Sequence, residues 1–179
     1  MRPKDQHGTP RDSGRKGKGR QLSGSCNVDV VCDGSDDSDY AGIDGWRNEI
    51  PSVAGIATGG SVFCTGAMIN NLRNDKTPYF LTAHHCGIDA NAAASLVTYW
   101  NFETSSCGGT PDGELNQFTT GATHLSDNPD SDMTLLRLNQ SPDNAFEVAY
   151  AGWDSRSDSS IASQEVCIHH PTGDEKRIS

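Results

Sequence analysis

One stretch limits what this chain can become: Tyr79-Phe80-Leu81-Thr82-Ala83-His84-His85-Cys86-Gly87. The apolar run after Pro78 reads as a buried strand over residues 79–83. It stops at two histidines, and a cysteine follows at once. A histidine at the end of a buried strand has a fixed backbone, and a neighbouring cysteine can tie the turn down. A general base needs both an imidazole that titrates near neutrality and a position held to a fraction of an ångström. Two histidines and a cysteine also suit a metal ion, so the rest of the chain must arbitrate.

The surroundings of that strand point to an all-β fold. Gly, Ser, Asp, Asn and Thr are abundant, and no long stretch carries a helical repeat. Short apolar segments separated by turn residues read as strands at residues 52–58, 62–70, 95–102, 115–124 and 132–138. A further strand is expected to begin at 147–152, and a short one at 168–171. Residues 90–94 read as a helical turn, and residues 71–77, 107–113 and 126–131 as turns or loops. Residues 26–32 read as a short extended piece between two cysteines, and 33–39 as an acidic loop. This spacing suggests a barrel or a sandwich. At 179 residues the chain is one domain or a small domain with appendages.

Charge narrows the partners. Residues 1–20 hold seven Lys or Arg against two Asp; the rest holds seven against 22 acidic residues, a net of −15. The globular part is therefore an unsuitable surface for nucleic acid. Its acidity reads as a solvated face. No apolar run is long enough to span a membrane, so no membrane partner is expected. The first 22 residues, Gly-rich and basic without aromatics, read as a disordered tail. Met1-Arg2-Pro3-Lys4 leads into no apolar h-region, so the expectation is a displaced start or an excerpt of a longer precursor.

Six cysteines, Cys26, Cys32, Cys64, Cys86, Cys107 and Cys167, are widely spread, and none forms a Cys-x-x-Cys pair. This weakens a zinc reading and favours disulfides in an oxidising compartment. Cys64 and Cys86 both flank apolar strands. A bridge between them would close a hairpin-sized loop and pin the turn of His85, a constraint worth about 3 kcal/mol in the chain-entropy picture. Asp132 opens the apolar segment 132–138. A carboxylate there is placed to accept Nδ1–H of an imidazole, which fixes the tautomer and stabilises the imidazolium. The blander alternatives are a turn-ending aspartate and a structural histidine beside a cysteine, with His84 competing for any role.

Three segments, Cys64-Thr65-Gly66-Ala67-Met68-Ile69, Phe80-Leu81-Thr82-Ala83-His84-His85-Cys86 and Ser131-Asp132-Met133-Thr134-Leu135-Leu136, resemble the chymotrypsin-like serine proteases. The nearer resemblance is to the secreted bacterial lysyl endopeptidases. It extends through Ser23 to Cys32, Val97 to Asn101, Ala151 to Asp154 and Ile168 to Pro171, so it covers residues 23–179. The resemblance implies a trypsin-like antiparallel double β-barrel. Residues 23–145 would form the first barrel and 146–179 only the opening strands of the second. It implies His85 as general base, since that residue directly precedes the cysteine, and Asp132 as its orienting carboxylate. It pairs Cys64 with Cys86 and Cys32 with Cys107. Cys26 resembles a cysteine whose partner lies further downstream. Cys167 falls outside the pattern and could pair with Cys26, pair elsewhere or stay free.

The departure from the family is the nucleophile. A Gly-x-Ser-Gly turn, which would also supply the oxyanion hole, occurs nowhere in the 179 residues. The first expectation is therefore a fragment of a secreted serine endopeptidase acting on polypeptides, monomeric when complete, with no cofactor and no metal. Cleavage after Lys or basic residues and a pro-segment ending near Lys18 or Arg20 follow from the resemblance. The alternatives are a non-catalytic, protease-like binding domain and a metal protein using His84, His85, Cys86, His169 and His170.

Overall fold

The computed structural model describes residues 23–24, 26–155 and 165–179. The basic tail expected over residues 1–22 lies outside the described residues. Ten strands follow in order: β1 (Val28–Asp29), β2 (Val53–Ala57), β3 (Cys64–Ile69), β4 (Tyr79–Thr82), β5 (Val97–Tyr99), β6 (Phe118–Thr120), β7 (Ala122–Asn128), β8 (Met133–Leu138), β9 (Ile168–His169) and β10 (Arg177–Ile178). One short helix, α1 (Ala90–Ala94), lies between β4 and β5, where a helical turn is expected. Asp89 caps it by accepting from the N–H groups of Asn91 and Ala92.

Seven strands form one antiparallel sheet in the order β6-β5-β2-β3-β4-β8-β7. The two ends of that order are joined by a single residue, Gly121. Its N–H donates to Leu96 O at 2.7 Å, and its carbonyl accepts from Asn139 N at 3.0 Å. The sheet therefore curls round until its edges share one bent strand, which leaves no open edge there. Glycine is needed at this corner because φ is +76° and a Cβ would press on the Asn139 amide. The sequence suggests a single weak strand over 115–124; the corner at Gly121 divides it between β6 and β7.

The barrel interior follows strand alternation. Met68 of β3, Phe80 of β4 and Leu136 of β8 are fully buried, and Trp100 meets Phe80 edge-on at 6.0 Å. Burying side chains of this size contributes about 1.5–3 kcal/mol each. Gly66 has no room for a side chain, because a Cβ there would enter the Phe80 ring and the Leu81 carbonyl. Gly66→Ala should therefore cost about 3 kcal/mol, read as a lower urea midpoint at unchanged slope. An unaltered midpoint would mean that the ring is not packed as described.

The loop expected at 126–131 is shorter than its composition suggests. Ser126, Asp127 and Asn128 continue β7 against Leu135, Thr134 and Met133, across a bulge at Leu125. Polar residues suffice here because this part of the strand faces solvent. The strand expected at 147–152 does not form. Glu147 is left-handed at φ 53°, and only Ala151 bridges to Ile69. The acidic loop expected at 33–39 is present over residues 33–37, and residues Ser38–Trp46 then form 3₁₀ turns capped by the Asp37 side chain. Of the extended piece at 26–32 only Val28–Asp29 is strand, because Cys32 N–H turns back to Asp29 O.

A second antiparallel sheet has the order β1-β10-β9, so the N-terminal strand pairs with the last one, Val28 opposite Ile178. Where the two sheets meet, a run of charge is buried. Lys176 is wholly buried, and its Nζ donates to Glu103 Oε1 at 2.7 Å and to Ile50 O at 3.1 Å. Arg177 pairs with Asp29, whose other oxygen accepts from Gly108 N at 2.7 Å. The molecule is thus all-β and antiparallel, a trypsin-like barrel with a second, three-stranded sheet beside it.

Candidate active site

The turn bearing the histidines is assembled from three constraints. β4 ends at Thr82, Ala83 is extended, and residues His84–Cys86 form a 3₁₀ turn closed by Gly87 N–H donating to His84 O at 2.9 Å. Gly87 makes the left-handed exit at φ 70°. Cys86 is disulfide-bonded to Cys64 at the start of β3, across 22 residues of chain. Thr82 Oγ1 donates to Thr65 O at 2.7 Å and adds a second tie between β3 and β4.

Asp132 approaches from the turn between β7 and β8. Asn128 Oδ1 accepts from the N–H groups of Asp130 and Ser131, a local pattern that folds the chain back on itself. Asp132 then sits at φ 50°, the left-handed region that aspartate tolerates better than most residues. From there its carboxylate grips one residue with both oxygens. His85 N–H donates to Oδ1 at 2.8 Å, and His85 Nδ1 lies 2.6 Å from Oδ2. Those bonds from His85 hold the Asp132 carboxyl below the usual carboxylate range. With Nδ1–H committed to the carboxylate, Nε2 is the bare, proton-accepting nitrogen. The His85 side chain is 72% exposed, so that nitrogen is open to an incoming group. A groove of about 450 Å³ runs beside Asp132 between Thr65–Ala67, Leu81–Ala83 and Ile168.

His84, its neighbour, turns elsewhere, with Nδ1 3.1 Å from Asp127 Oδ2. The five residues of the metal reading each engage a different partner. Cys86 is in a disulfide, His169 Nε2 contacts Asn27 Oδ1 at 2.7 Å, and His170 Nδ1 bonds to Asp174 O at 2.9 Å. Cys64, His85 and Cys86 do converge, but both sulfurs are spent in the disulfide and offer no thiolate.

Cys32 and Cys107 form the second disulfide, with Cα atoms 4.7 Å apart. Cys26 and Cys167 are unbonded and exposed. Cys26 lies two residues before β1 and Cys167 one residue before β9, the two strands that flank β10. The buried His170, stacked on Phe102 at 5.7 Å, and the buried Lys176 are the features that reading the sequence missed. Both lie in the polar run 169–177, whose composition gives no sign of burial.

The site is thus a disulfide-pinned His–Asp pair at the rim of a closed antiparallel barrel. The chain belongs to the family of the lysyl endopeptidase C-terminal domain, which matches residues 21–179. It is also similar to a lysyl endopeptidase of Pseudomonas aeruginosa, with 36% identity over 165 residues, covering 88% of this chain and 34% of that protein. The chain thus spans about a third of the length of the curated relative it matches.

Proposed function

We propose that this chain is the part of a serine endopeptidase that supplies the general base and its orienting carboxylate. The observation that carries this reading is the double grip of Asp132 on His85, through its backbone N–H and its Nδ1. In the proposed reaction His85 Nε2 takes the proton of a serine hydroxyl as the oxygen attacks the scissile carbonyl. The imidazolium that forms is stabilised by Asp132 and returns the proton to the leaving amine. Water then repeats the sequence on the acyl-enzyme. The serine would come from sequence outside these 179 residues, which hold no Gly-x-Ser-Gly turn. The substrates would be polypeptides cut after Lys or other basic residues, as the name of the similar protein suggests.

Two disulfides in so small a described region support an extracellular setting. The basic tail, residues 1 to about 20, is proposed as the end of a pro-segment removed near Lys18 or Arg20. The 179-residue chain alone should not hydrolyse lysyl esters, while the longer protein containing it should. It should also label at a single serine with an organophosphonate, and the cleaved bonds should follow Lys. A longer protein that neither labels nor cleaves would instead support a protease-like binding domain.

A further inference from the structure

The turn that presents His85 also presents His84, and the two imidazoles diverge to separate carboxylates. His84 reaches Asp127 Oδ2 at 3.1 Å, and His124 Nε2 reaches the other oxygen of the same carboxylate at 3.3 Å. In an unbroken strand residues 124 and 127 would face opposite sides. The bulge at Leu125 removes that difference. His124 pairs with Leu136 and Asp127 with Thr134, two inward-facing positions of β8. One extra residue therefore aims both side chains at the same mouth of the barrel, the use to which bulges beside functional sites are put.

That mouth is a cavity of about 370 Å³ lined by His84, His124, Asp127, Asp89 and Thr134. Asp89 is held at its edge by the α1 N-terminus, whose Asn91 and Ala92 N–H groups it accepts. Two imidazole nitrogens and a carboxylate are the donor set of a borderline cation such as Zn²⁺. The 3.1 and 3.3 Å contacts run to different oxygens of Asp127, so the three donors do not converge on one point as they stand.

We propose that this mouth is a second, non-catalytic site that binds a divalent transition cation through His84, His124 and Asp127. The two rings contact different oxygens of Asp127, so uptake of the ion draws them onto one point by side-chain rotation. His84 and Asp127 are about 40% exposed and have room to turn. The site uses neither His85 nor Asp132. It needs no serine, so it can be tested apart from the protease reading.

The test is calorimetric titration of the 179-residue chain with ZnCl₂ at pH 7.5, after alkylating the exposed Cys26 and Cys167. The expected result is one saturable site, weakened at least tenfold in His124→Ala and in Asp127→Asn and unchanged in His169→Ala. The unsubstituted chain gives an independent reading. Zn²⁺ should shift the imidazole NMR signals of both His84 and His124 and leave those of His169 and His170 in place. Absence of a saturable site below about 1 mM, an affinity indifferent to removing both His84 and His124, or shifts confined to other histidines would each overturn the proposal. In that event the three side chains form an ion-pair network only.

Discussion

Asp132→Asn in the complete protease should lower kcat about 10⁴-fold, the scale seen when the orienting aspartate of a Ser-His-Asp triad is changed to asparagine. The reason lies in the number of acceptors. Asp132 takes two donors, His85 N–H and Nδ1–H, one on each oxygen. Asparagine offers one oxygen and one NH₂ group, so one of those donors would face another donor. The imidazole escapes by moving its proton to Nε2, and the nitrogen that should accept the serine proton is then blocked. The fold should survive, since asparagine also tolerates the left-handed backbone at φ 50°. Steady-state kinetics on a lysyl peptide should therefore show the loss in kcat with KM little changed. A loss of less than tenfold would place the orienting group elsewhere.

Acid should destabilise the fold through His170, by about 1.4 kcal/mol per pH unit between pH 6.5 and 3 and about 5 kcal/mol in all. Burial, with the Lys176 charge nearby and a smaller effect of His169, pushes the His170 imidazole down to about 3, against the carbonyl of Asp174 that favours the charged form. In the unfolded chain the same ring titrates near 6.5. Between those values the unfolded state binds the proton and the folded state does not, so stability falls as the pH falls. In the neutral ring Nδ1–H donates to Asp174 O, and Nε2 has no hydrogen-bond partner among the described residues. Protonation would bury an N–H with nothing to receive it. Urea denaturation at pH 6.5 and pH 4.5 should differ by about 2 kcal/mol more in the parent chain than in His170→Asn, which keeps a donor but does not titrate. Parallel pH dependences in the two proteins would refute this role.

What could be read from the sequence follows the physics of each segment. Residues 79–82 announce themselves because aromatic and aliphatic side chains must be buried, and the His-His-Cys ending cannot be mistaken for a loop. Asp132 is legible through the apolar segment it opens. Gly121 was not, because a corner that closes a barrel depends on strands 25 and 18 residues away, at Leu96 and Asn139, and glycine alone marks any turn. Ser126 to Asn128 have the composition of a loop, since a strand held by backbone bonds at the surface needs no apolar residue. The run Asp174-Glu175-Lys176-Arg177 looks solvated by composition yet is buried, because its charges find partners from distant segments: Glu103 for Lys176 and Asp29 for Arg177. Local pattern shows where a strand lies. It does not show which distant charge meets it.

The choice between the two adjacent histidines is the centre of the proposed mechanism, and one comparison tests it. In the complete protease, with a chelator present, kcat/KM on a lysyl peptide is measured for His85→Ala and His84→Ala side by side. The geometry predicts a loss of about 10⁴-fold or more for His85→Ala and a change of less than about tenfold for His84→Ala, whose ring faces Asp127. A large loss in His84→Ala with activity retained in His85→Ala would contradict it.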